Sequence, residues 1–184
     1  AANVLAVHVS GSTEKFVELM NQMAAALGMT GTHYTNAHGL AQDGLYTTAR
    51  DLVTLGKEVL KNSMLAEICS KTYYEIPATN MSDVRKIFTT NYMMETTSPY
   101  YYKRVKGLKT GYTEKAGRCL VSYAEKDGAE YIGVVMGCKT KDENGNEHHY
   151  EFDDTDALLR WAFTNLTYSC TVTASDPVAE VKVR

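Results

Sequence analysis

Along the first sixty residues the apolar positions recur every three or four places, and from residue 105 they alternate instead. That change of period divides the chain. Residues 1–9 carry Val4, Leu5, His8 and Val9 on one side, like the tail of a helix, and Ser10-Gly11-Ser12 breaks it. Ser12 then reads as the N-cap of a second helix, with Glu14 in the first turn, where a negative charge suits the helix dipole. Phe16, Leu19, Met20, Met23, Ala24 and Leu27 supply its apolar stripe, and Gly28 its C-cap. Residues 30–44 are polar and rich in turn formers. A third helix is expected over 48–61, facing inward through Leu52, Val53, Leu55, Val59 and Leu60.

The second half follows the strand period. Residues 72–76 read as a short strand closed by Pro77, and 84–92 as a connector. Three strands in succession are expected at 105–113, 119–126 and 131–139, joined by hairpin-like turns at 114–118 and 127–128. Residues 153–165 carry Leu158, Leu159, Trp161, Ala162 and Phe163 and predict a closing helix. From Asp176 the alternation resumes as a strand, at the start of a linker or a second, β-rich domain. Helices first, antiparallel strands next and a helix last is an α+β order, not a βαβ one.

Composition narrows the function. At 184 residues the chain is about one domain, and a net charge of −3 without a basic stripe argues against nucleic acid as partner. No apolar run approaches the roughly 18 residues of a membrane span. The chain opens at Ala1-Ala2-Asn3, without Met or a signal peptide, and is expected to be a processed or excised piece. Cys69, Cys119, Cys138 and Cys170 form no C-x-x-C pair, so inert, buried thiols are expected rather than a zinc site.

The strongest chemical signal is Lys109-Thr110-Gly111. In serine acyl-transfer enzymes such a triplet lines the active site. Lys offers a positive charge to a substrate carboxylate, Thr a hydroxyl, and Gly room for substrate backbone. The next N–H, that of Tyr112, then faces a developing oxyanion. As a bare tripeptide the signal is weak, because an ordinary strand ending in a turn glycine carries the same letters.

Its context is specific. Gly107-Leu108-Lys109-Thr110-Gly111-Tyr112-Thr113, Ala116-Gly117 and Cys119-Leu120 resemble the serine-type D-alanyl-D-alanine carboxypeptidases, the low-molecular-mass penicillin-binding proteins. Upstream, Phe16 to Asn21, Ala26-Leu27-Gly28-Met29, Thr32 to Asn36, His38-Gly39-Leu40, Tyr46 to Leu52 and Asn91 fit the same family in order. The resemblance runs from residue 1 to about 170. It implies residues 1–175 to be the later portion of a β-lactamase/transpeptidase-like domain, lacking the N-terminal strands and the nucleophile helix. It implies a parent enzyme that trims D-alanine from peptidoglycan stem peptides through a serine acyl-enzyme, is inhibited by β-lactams, works outside the cytoplasmic membrane and needs no cofactor or metal. Any membrane anchor then lies beyond this chain. Lys109 and Thr110 are the implied catalytic pair, with Gly111, Tyr112 and Thr113 completing the substrate strand.

The family also uses S-x-x-K and S-x-N. Residues 1–6 resemble the helix that follows S-x-N, so the chain is expected to start just after that motif and to be inactive alone. Ser12-Thr13-Glu14-Lys15 matches S-x-x-K, but it lies in the wrong order, and Ser12 is better used as a cap. Without the N-terminal strands the 131–139 strand has an open edge, which predicts self-association or a companion segment. Weaker features are the acidic loop with His148 and His149, read as solvated rather than metal-binding, and His38, read as a packing residue in a turn. Tyr100-Tyr101-Tyr102 reads as a surface loop. The family often brings an Arg toward the site just before the closing helix, and Tyr150-Glu151-Phe152-Asp153 has none. A class A β-lactamase-like hydrolase and a non-catalytic relative are the alternatives.

Overall fold

The computed structural model describes residues 1–167, and side-chain caps set most of its helix starts. The first helix, α1 (Ala2–Ser10), ends at Gly11, whose φ of 82° only glycine adopts freely. Ser12 Oγ accepts the Lys15 N–H at 3.2 Å and opens α2 (Thr13–Ala26). Thr48 caps α3 (Ala49–Lys61) by accepting the Asp51 N–H at 3.1 Å. Asn62 ends that helix and caps the next, α4 (Ser63–Ser70), which the hydrophobic pattern had not separated from its surroundings.

Residues 84–92, expected as a connector, hold a strand instead. β1 (Tyr73–Ile76) and β2 (Arg85–Phe88) pair antiparallel, with Tyr73 opposite Phe88 and Tyr74 opposite Ile87. A short 3-10 turn (Tyr92–Met94) follows. The main sheet is β3 (Val105–Thr113), β4 (Gly117–Lys126) and β5 (Ala129–Cys138), antiparallel in chain order. β4 and β5 each begin two residues earlier than expected. The closing helix α5 (Tyr150–Asn165) begins at Tyr150 rather than Asp153, with Glu151 and Asp153 in its first turn. The strand expected from Asp176 lies outside the described residues.

Helices cover both faces of this sheet. Adjacent β5 side chains point to opposite faces. Ile132 reaches Gly56 on α3, whereas the space beside Gly133 is filled by Leu159 on α5. α4 packs on β3 on the α3 side. The core joins Met93, Met94, Val105, Leu120, Ala124, Phe152 and Leu159. Phe152 and Leu159 are fully buried, worth about 1.5–3 kcal/mol each. β3 is an edge strand, and among the described residues no strand pairs with the outer side of β5.

Candidate active site

Because β3 lies at the sheet edge, Lys109-Thr110-Gly111 is presented to open space rather than to a neighbouring strand. A cavity of about 750 Å³ opens beside it. Its walls are α4 (Ile68, Cys69), the β1–β2 hairpin (Tyr74, Phe88) and Lys109 with Thr110.

Lys109 Nζ donates to the Thr110 carbonyl. No carboxylate among the described residues pairs with it. Its charge is therefore available to an anion. That ammonium also favours the thiolate of Cys69, but burial outweighs it and pushes the Cys69 thiol up. The Thr110 hydroxyl meets the Thr90 hydroxyl at 2.5 Å. Asn91, buried next to Thr90, accepts the Met93 N–H and donates weakly to the Gly107 carbonyl. Thr90 and Asn91 thus fasten the end of the hairpin to β3. Sequence reasoning singled out Asn91 but missed Thr90, whose partner is distant in the chain.

The other residues of the strand differ in placement. A Cβ at Gly111 would meet only Cys119, at 4.0 Å, so the space before the strand is free. Tyr112 and Thr113 lie past the cavity. Thr113 Oγ accepts the Ala116 N–H at 3.1 Å and secures the β3–β4 turn. The Tyr112 ring is exposed, and the Arg118 guanidinium lies 5.7 Å from its centroid. Arg118 also contacts Glu147 and, at 3.8 Å, buried Glu151. The stretch before α5 has no Arg of its own, but a guanidinium reaches it from β4.

The remaining candidates lie elsewhere. Ser12 is engaged as the α2 cap and does not line the cavity. His38 accepts the Leu40 N–H at 3.2 Å within a turn. Tyr100 and Tyr102 are not a loop surface: Tyr100 packs 5.2 Å from Phe152, and Tyr102 lies under the Arg160 guanidinium, both against α5. His148 and His149 pair with Asp153 and Glu151. No three His, Cys, Asp or Glu side chains among the described residues converge as metal ligands.

The chain matches the family model described as D-alanyl-D-alanine carboxypeptidase, peptidase S11, over residues 1–140. It is 31% identical over 184 residues to D-alanyl-D-alanine carboxypeptidase DacF of Bacillus subtilis, covering 100% of this chain and 44% of that protein. It is 32% identical over 167 residues to DacC of Escherichia coli, covering 89% of this chain and 37% of the other. The chain therefore spans less than half the length of these relatives. A crystal structure of D-alanyl-D-alanine carboxypeptidase from Mycobacterium tuberculosis superposes with a TM-score of 0.74 at 27% identity, over 98% of this chain and 62% of the other. The Streptomyces K15 DD-transpeptidase S216A mutant shares the fold, with a TM-score of 0.69 at 24% identity over 83% of this chain and 55% of the other.

Proposed function

The chain belongs to the D-alanyl-D-alanine carboxypeptidase family, peptidase S11, and from that membership we propose that β3 is the substrate strand of a serine enzyme trimming D-alanine from peptidoglycan stem peptides. One observation carries the reading: Lys109 and Thr110 stand side by side on an edge strand, in the wall of a cleft of about 750 Å³, with no carboxylate among the described residues neutralising the lysine. Lys109 and Thr110 bind the terminal carboxylate, a charge-assisted contact. Gly111 admits the peptide backbone. The Tyr112 N–H donates to the oxyanion of the attacked carbonyl, where such a donor is worth a few kcal/mol. Thr113 continues the strand on the acyl side.

The reaction proceeds by serine acylation and hydrolysis, drawing on no metal or cofactor. β-Lactams carry a carboxylate in the same relation to an acylating carbonyl, and so inhibit the parent enzyme. The substrate places the enzyme on the outer side of the cytoplasmic membrane. Among the described residues no helix is long and apolar enough to cross one. Among the described residues no serine lines the cleft, and this chain alone is expected to form no acyl-enzyme.

The test is a titration of the ¹⁵N-labelled chain with N-acetyl-D-Ala-D-Ala. Amide shifts at residues 109–113, lost in Lys109→Ala, are expected, and silence there overturns the reading. Intact mass after incubation with penicillin is expected to stay unchanged. A penicilloyl adduct lost in Ser12→Ala would reverse the assignment of Ser12 as a cap.

A further inference from the structure

Four large apolar side chains stand in the open on the β1–β2 hairpin: Tyr73, Tyr74, Ile87 and Phe88, with Tyr74 53% and Phe88 67% exposed. They bury little core, although the rings of Tyr73 and Phe88 pack 5.2 Å apart. Alternation along the two strands puts Tyr73 with Phe88 on one face and Tyr74 with Ile87 on the other. Apolar surface left in water marks a binding surface, and all four residues border the cavity that also holds Lys109 and Thr110.

Which part of a substrate faces them depends on its direction along β3, and here the argument rests on the function proposed above. With the carboxylate at Lys109 and Thr110 and the scissile carbonyl at the Tyr112 N–H, the departing residue lies toward Leu108 and the acyl portion toward Thr113. Leu108, Lys109 and Thr110 border the cavity, whereas Tyr112 and Thr113 do not. The cavity is on the side of the departing residue. At about 750 Å³ it falls within the roughly 300–1,000 Å³ typical of ligand sites, far more than the methyl group of alanine fills.

We propose that this cavity is a leaving-residue subsite for C-terminal D-amino acids with large apolar or aromatic side chains, which the site releases as well as D-alanine. Lys109 recognises the carboxylate and the hairpin recognises the side chain. The chemistry is the same hydrolysis. The amide C–N bond breaks, water gives its hydroxyl to the acyl carbon, and the proton goes to the departing amine, with no further reactant.

The ¹⁵N-labelled chain titrated in parallel with N-acetyl-D-Ala-D-Phe and N-acetyl-D-Ala-D-Ala tests this. The phenylalanyl peptide is expected to bind about tenfold more tightly, from burial of its ring, and to shift the amides of Tyr74 and Phe88 together with Thr110. Phe88→Ala and the milder Phe88→Leu should shrink that preference, with affinity for N-acetyl-D-Ala-D-Phe falling by more than affinity for N-acetyl-D-Ala-D-Ala. Equal affinities with a silent hairpin, while N-acetyl-D-Ala-D-Ala still shifts Thr110, overturn the subsite alone. Silence of residues 109–113 toward both peptides overturns the underlying function as well. The comparison on the unsubstituted chain decides even where a hairpin variant folds poorly.

Discussion

Arg118 on β4 and Glu151 in the first turn of α5 meet with Nη1 and Oε1 3.8 Å apart, Glu151 buried and Arg118 mostly so. His149 Nδ1 lies 2.8 Å from the same carboxylate oxygen, and Glu147, out in solvent, takes the other side of the guanidinium. The cluster ties the start of the closing helix to the strand that pairs with β3, two residues past Thr110.

Removing one member of a buried ion pair leaves the other charge without compensation, which costs more than the pair itself contributes. Glu151→Leu is expected to lower the unfolding free energy by about 2–3 kcal/mol, since Glu147 still partly serves Arg118. Arg118→Met in the same chain should recover most of that loss, because no orphaned charge remains. Urea unfolding of the two single variants and the double variant measures it. A double variant no more stable than Glu151→Leu would refute the pairing.

Thr90 offers a test nearer the cleft. Its hydroxyl sits 2.5 Å from that of Thr110. When Thr90 donates, the Thr110 proton is free to turn toward an incoming carboxylate. Thr90→Val removes that donor while keeping the shape, so affinity for N-acetyl-D-Ala-D-Ala should fall several-fold, the scale of one neutral hydrogen bond. The melting temperature should hardly move, because the pair is exposed. Unchanged affinity would show Thr90 to be a bystander.

What the sequence made legible follows from how local each signal is. β3 was readable to the residue, because its alternation and the Lys-Thr-Gly triplet coincide on one segment. β2 was not. Arg85, Lys86, Ile87 and Phe88 are all exposed, so no inward and outward alternation is written into them. α4 was missed because a single residue, Asn62, both ends α3 and caps its successor, leaving no loop to mark a boundary. The site divides in the same way. The Lys109 and Thr110 pair is contiguous and visible, whereas the walls of the cleft come from α4 and the hairpin, and their contacts with β3 span many residues. Arg118 reads as an ordinary strand position until the fold brings Glu151 to it.

Among the described residues no strand pairs with the outer side of β5, and an edge of that kind predicts association. A strand edge exposes N–H and C=O groups that pair readily with another chain. Light scattering behind a sizing column should show mass rising with concentration. Met136→Lys, which puts a charge on an exposed β5 position, should suppress it. A monomer at every concentration together with an edge shielded from amide exchange would count against the open edge.

Cys138 supplies a prediction in pH. Burial, helped by the carboxylate of Asp154 with its Oδ2 3.7 Å from Sγ, pushes this thiol up to about 11 from an ordinary 9.0. Between those values the folded chain holds a proton that the unfolded chain has lost. The resulting stabilisation is therefore complete below about pH 9 and disappears as the pH climbs through about 11. The gap in urea midpoint between the parent chain and Cys138→Ala should narrow over that interval. At pH 8 only about one thiol in a thousand is ionised at such a value, so iodoacetamide should label Cys138 far more slowly in the folded chain than in urea. Equal labelling rates in the two states, read by mass spectrometry of the peptides, would rule out the raised value and the shielding by α5 that causes it.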